Sequence, residues 1–87
     1  REFKLEQNYP NPFNPNTMVN YQLPIHSFVV LKIYNLLGQE VATLVNENLG
    51  VGAYKASFDA TNFTSGSYLY RLTANGQSIS KKMMLVK

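Results

Sequence analysis

Ser67-Tyr68-Leu69-Tyr70-Arg71-Leu72-Thr73-Ala74-Asn75-Gly76-Gln77-Ser78-Ile79-Ser80-Lys81-Lys82-Met83-Met84-Leu85-Val86 is two strand-like runs around one Asn-Gly pair. Both central residues of a type I′ turn need positive φ, and Asn-Gly supplies that at least cost. The pair therefore predicts a two-residue hairpin with a fixed register. In the first run Tyr68, Tyr70 and Leu72 share one face, and Leu69, Arg71 and Thr73 share the other. The second run is apolar on both faces toward its end, which blurs inside and outside. It reads as a strand built into a sheet, and it leaves one edge open to weak self-association.

The same period of two extends toward the N-terminus. Thr17 to Leu23 puts Val19, Tyr21 and Leu23 on one face. Phe28 to Asn35 puts Val29, Leu31 and Ile33 on one face, with Phe28, Val30, Lys32 and Tyr34 on the other. The second face is half apolar, which predicts a central strand covered in part on both sides. Asn35 to Gln39 reads as a hairpin loop with Gly38 at its positive-φ position. Glu40 to Asn46 is the return strand, with Val41, Thr43 and Val45 alternating against Glu40, Ala42 and Leu44. Glu47 to Gly52 reads as a loop, with Gly50 and Gly52 marking a tight turn. Ala53 to Asp59 follows, with Tyr54, Ala56 and Phe58 inward. Ala60 to Ser65 is a polar turn that ends at Gly66, and Glu2 to Glu6 is a short first strand with Phe3 and Leu5 inward. About seven short strands with glycine and proline turns predict an all-β, antiparallel β-sandwich. Uneven connections argue against a closed barrel.

Between the first two strands lies Gln7-Asn8-Tyr9-Pro10-Asn11-Pro12-Phe13-Asn14-Pro15-Asn16. Three prolines exclude a helix and a central strand. Proline fixes φ and asparagine bonds its own backbone, so the run predicts an extended path with one tight turn. Residues 1–16 are read as this leading segment, packed as an ordered strap by Tyr9 and Phe13. Residues 17–87 are the sandwich body of one single domain.

Composition removes most chemistry. The chain has 87 residues, net charge +3, one histidine and no cysteine. One histidine without cysteine does not make a structural zinc site, and no disulfide can form. The eight basic residues are scattered, unlike a nucleic-acid footprint. No apolar run approaches a membrane-spanning length. The five acidic residues form no close pair suited to metal binding or acid–base work. Asp59 reads as a cap on the turn that follows it, and His26 as an exposed loop residue. Gly50-Val51-Gly52 lacks the lysine and helix of a phosphate loop. No cofactor or metal is expected, and no enzyme. The many tyrosines and phenylalanines read as core; a sugar-binding platform is the rival, weakened by the absence of tryptophan. The chain opens at Arg1 without a starting Met and is read as a domain from a longer protein.

Several blocks together resemble the type A C-terminal sorting domain of the type IX secretion system. They are Leu5 to Thr17, with Asn8, Tyr9, Pro10, Asn11, Pro12, Phe13, Asn14 and Pro15 at the centre; Val19 to Pro24; Leu31 to Val41; Gly52-Ala53-Tyr54; Phe58-Asp59; Ser65 to Leu72; and Lys82 to Lys87. The resemblance implies an immunoglobulin-like sandwich at the C-terminus of secreted and surface proteins of Bacteroidetes and related phyla. It implies a covalent cargo domain ahead of it, passage through the periplasm, and delivery to the cell surface or medium. The implied partners are the type IX translocon and a surface C-terminal signal peptidase. The implied recognition residues are Gly66, Tyr68, Tyr70, Arg71, Lys82, Met84, Val86 and Lys87. Two rival functions stand beside it: a carbohydrate-binding or adhesive module, and a structural spacer.

Overall fold

The computed structural model describes residues 2–87. It is all β, with seven antiparallel strands: β1 (Lys4–Leu5), β2 (Asn16–Leu23), β3 (Ser27–Asn35), β4 (Glu40–Leu49), β5 (Gly52–Asp59), β6 (Gly66–Ala74) and β7 (Gln77–Leu85). They form two sheets, ordered β1-β2-β5 and β4-β3-β6-β7. The sheets stack face to face as an immunoglobulin-like sandwich, as expected.

Period-two alternation explains the core. Val19, Tyr21, Leu23 and Phe58 face inward from the smaller sheet. Val29, Leu31, Ile33, Tyr70, Leu72, Met83 and Leu85 meet them from the larger one. Asn75 and Gly76 have φ of 53° and 77°, as a type I′ hairpin requires. That hairpin sets β6 against β7 over nine pairs without a slip, from Ala74 with Gln77 to Gly66 with Leu85. At the β3–β4 hairpin the Asn35 carboxamide oxygen accepts from the backbone N–H of Leu37 and Gln39, at 2.9 and 3.0 Å.

β3 is central and its outer face is covered in part, as expected: Val30, Lys32 and Tyr34 are half-buried, while Phe28 is 53% exposed. Three expectations need correction. β4 does not alternate. Two register shifts in its pairing with β3 make bulges, so Val41-Ala42 and Leu44-Val45 both lean on the core. The expected loop from Glu47 shrinks to Gly50-Val51, because Glu47, Asn48 and Leu49 still pair with Val29, Phe28 and Ser27. The strap is ordered and Phe13 is buried, but the Tyr9 side chain is 79% exposed and anchors nothing.

Asn8 takes the place expected of Tyr9. It is buried, and its amide nitrogen donates to Thr17 Oγ1 at 3.0 Å and to the Pro10 carbonyl at 3.2 Å. Its backbone N–H donates to the Tyr70 hydroxyl at 2.8 Å, and that hydroxyl donates to the Glu6 carbonyl at 2.8 Å. A tyrosine from the centre of one sheet thus satisfies two backbone groups of the strap. The Tyr9-Pro10, Asn11-Pro12 and Asn14-Pro15 bonds are cis.

The strap changes sheets along its length. Tyr9 exchanges two backbone bonds with Met18 on the edge of β2, each 3.0 Å. Phe13 then bonds β7 in parallel: its N–H donates to the Met84 carbonyl at 2.9 Å and its carbonyl accepts from Val86 at 3.0 Å. Asn11 Oδ1 accepts from Met84 N–H at 3.0 Å, and Gln7 donates to the Lys82 carbonyl at 2.8 Å. The terminal half of β7 is therefore already bonded on its outer side. The edge expected to stay open to self-association is closed over that half, while Ser78 and Ser80 lie beyond the reach of the strap's bonds.

Two predictions follow from this anchoring. Phe13→Ala should lower unfolding free energy by about 3–5 kcal/mol, since it empties a fully enclosed ring site. Tyr70→Phe should cost about 1–3 kcal/mol, by leaving the Asn8 N–H and the Glu6 carbonyl without their partner. Urea denaturation monitored by circular dichroism measures both. Burial also pushes the phenols of Tyr21 and Tyr70 up to about 12. The fold favours their protonated form, so stability should hold below about pH 10 and fall as pH rises from 10 toward 12. Ultraviolet titration should show late-ionising phenols near pH 12 that disappear in the Tyr21→Phe/Tyr70→Phe double variant.

Candidate recognition surface

The β6–β7 hairpin carries most of the residues implied as recognition elements, and its pleat sorts them onto two faces. Tyr68 and Tyr70 point inward, at 7% and 0% exposure. Tyr68 donates its hydroxyl to the Thr64 carbonyl at 2.6 Å, and its ring sits 6.1 Å from Phe63. A side chain so enclosed meets no partner while the domain stays folded. Arg71, Lys82 and Met84 point outward, and Val86 is exposed just past the strand. Cross-strand register sets Lys82 beside Leu69 and Met84 beside Ser67.

The outer face also carries residues that were not among the implied recognition elements. Tyr34 on β3 lies beside Leu69, and Lys32 beside Arg71. The Arg71 guanidinium lies 5.3 Å over the Tyr34 ring centroid, and its Nε donates to Ser80 Oγ at 3.2 Å. Leu36 and Leu37 extend the apolar part at the same end of the sheet, 65% and 85% exposed in the β3–β4 hairpin. The signal for Leu69 and Tyr34 was present in the sequence: each is apolar or aromatic at an outward position of an alternating strand.

Charge on this face is unevenly compensated. Lys32 Nζ is 2.9 Å from Glu40 Oε1. Their hydrogen bond raises the lysine pKa and lowers that of the carboxyl, which also accepts from Thr43. Both groups are solvent-accessible, so the pair adds little stability. Arg71 is engaged by a ring and a hydroxyl. Lys82 has no ion-pair partner among the described residues.

Lys87 and Gly66 belong to the margin of the surface. The Lys87 ammonium donates to the Thr61 carbonyl, and its backbone N–H donates to Ser65 Oγ at 3.0 Å. It thus folds back onto the loop between β5 and β6. There Asp59 accepts from the Thr61 N–H at 3.0 Å and from its hydroxyl, the turn cap expected of it. Those bonds hold its carboxyl below the usual range, with Lys87 adding a smaller pull. Gly66 opens β6 at φ 149°, and a Cβ there would meet nothing within 4 Å. Its constraint is the backbone angle and not space.

A concavity of about 260 Å³ lies on the other sheet, bounded by Glu6, Asn20, Gln22 and Lys55. It shares no lining residue with the hairpin. No cluster of three potential metal ligands occurs among the described residues. Six tyrosines are present, but they form no exposed row. Tyr21 and Tyr54 stack on each other at 5.6 Å, Tyr68 and Tyr70 are buried, and Tyr9 stands alone on the strap.

Comparison with curated proteins gives no match. The family model described as "Secretion system C-terminal sorting domain" matches residues 7–87, from the strap through the last strand. The chain belongs to this family, the C-terminal sorting domains of type IX secretion.

Proposed function

We propose that this domain is a non-enzymatic signal that directs a cargo protein, joined ahead of it, across the outer membrane through the type IX translocon. The family is one of secretion sorting signals, which implies delivery to the cell surface or medium. Arg71, Lys82, Met84 and Val86 are the residues of this chain assigned to contact the translocon, with Leu69 and Tyr34 completing an apolar and basic surface. The observation that carries the assignment is their convergence on one exposed sheet face while Tyr68 and Tyr70 are enclosed. Tyr68, Tyr70 and Gly66 serve by holding the hairpin, and Lys87 by pinning the chain end. Removal of the domain by a surface signal peptidase completes the role. Cargo attachment or release follows that cut.

A reporter with an N-terminal periplasmic signal and this chain at its C-terminus tests the reading. It should reach the surface or medium of a type IX-competent bacterium and stay periplasmic in a type IX-deficient strain. Lys82→Glu and Met84→Asp should each lower export several-fold while leaving the thermal midpoint within a few degrees of the parent. Export that persists in both variants would move recognition off this face. A folded reporter retained in the competent strain would make the domain a spacer or binding module.

A further inference from the structure

Two sheets have four lateral edges, and three of them are broken or closed over part of their length. The strap lies along β2 beyond the two-residue β1, and it covers the terminal half of β7. β4 carries two bulges, which interrupt a regular edge. β5 differs. It runs eight residues in unbroken register with β2 and contains neither proline nor bulge.

The direction of its free backbone groups follows from β2. Met18 exchanges both bonds with Tyr9, and Asn20 gives its carbonyl to Glu6, so these residues turn away from β5. Thr17, Val19 and Tyr21 therefore face β5, and their partners Phe58, Ala56 and Tyr54 face β2. The Ala60 N–H, bonded to the Pro15 carbonyl at 2.9 Å, continues the same phase. Lys55, Ser57 and Asp59 aim N–H and C=O outward, and no turn or loop bonds them among the described residues.

We infer that this edge pairs with the β5 edge of a second copy, antiparallel and centred on Ser57, joining two three-stranded sheets into one. Charge fixes the register. A two-fold axis at Ser57 sets Lys55 opposite Asp59 of the other copy, twice. An axis at Lys55 sets lysine against lysine, which opposes pairing. Both side chains are exposed on the outer face. Lys55 has no ion-pair partner among the described residues, and both Thr61 bonds to Asp59 use Oδ1, leaving Oδ2 open. Ser57 adds a small hydroxyl at the axis. The contact is short and polar, so it forms at high local concentration and leaves the β6–β7 face uncovered.

Sedimentation equilibrium of the 87-residue chain at about 1 mM should show dimer, with Lys55→Asp weakening association about tenfold. Ser57→Cys supplies a sharper check, because the parent lacks cysteine. Opposed residues in a hydrogen-bonded antiparallel pair have Cα atoms about 5.5 Å apart, inside the range of a disulfide. Under mild oxidation Ser57→Cys should form covalent dimer much faster than Ser78→Cys on β7. Monomer throughout the concentration range would overturn the inference. So would equal crosslinking of the two variants, or association indifferent to Lys55→Asp, which would leave the edge to a different strand or to none.

Discussion

The hydroxyl of Tyr70 is the point on which the rest of the structure hangs. It lies in the centre of the four-stranded sheet, fully enclosed, yet it donates to one strap residue and accepts from another. A buried phenol needs partners, and strap backbone groups that leave both sheets need them too. Each solves the other's problem. From this anchor the strap reaches β2 through Tyr9 and β7 through Phe13, so one side of the sandwich is sewn shut by main chain. Asn8 fixes the local path by binding Thr17 and Pro10, while Phe13 fills the core beside Phe58, 6.0 Å between ring centres.

Much of this fold was legible because alternation and turn chemistry are local. Val19, Tyr21 and Leu23 could only face one way, and Asn75-Gly76 could hardly form anything but a tight hairpin. The bulges of β4 were not legible. Val41-Ala42 and Leu44-Val45 are adjacent apolar pairs, and a period-two reading must expose one member of each. The folded chain inserts an extra residue twice and shades both. The strap was legible as extended and ordered, but not its grip. A large ring such as Tyr9 looks like an anchor in sequence. The smaller Asn8 wins because an extended run with few ladder bonds is short of hydrogen-bond partners more than of apolar area.

The candidate surface was half legible for the same reason. Arg71, Lys82 and Met84 alternate outward with the pleat. Tyr68 and Tyr70 sit in the same motif, but the same pleat turns them inward. The motif therefore mixes residues that build the hairpin with residues that face outward from it. What no single strand reveals is the neighbour across the sheet. Tyr34 under Arg71, and Leu69 beside Lys82, come from register between segments far apart in the chain.

Edge control links these observations. On the proposed reading the domain is recognised through its last strands, and those strands must then be kept from pairing with whatever strand comes near, since an open edge recruits partners without regard to sequence. Here Gln7, Asn11 and Phe13 bond the Lys82 carbonyl, both backbone groups of Met84 and the Val86 N–H, so side chains are most of what remains to be read there. Closure comes from the segment that would join the domain to a cargo ahead of it. The terminal strand is then capped only when the strap has docked, and Tyr70 supports that docking through Asn8 and Glu6. The proposed recognition by side chains of β7 would thereby be tied to completion of the fold at the strap.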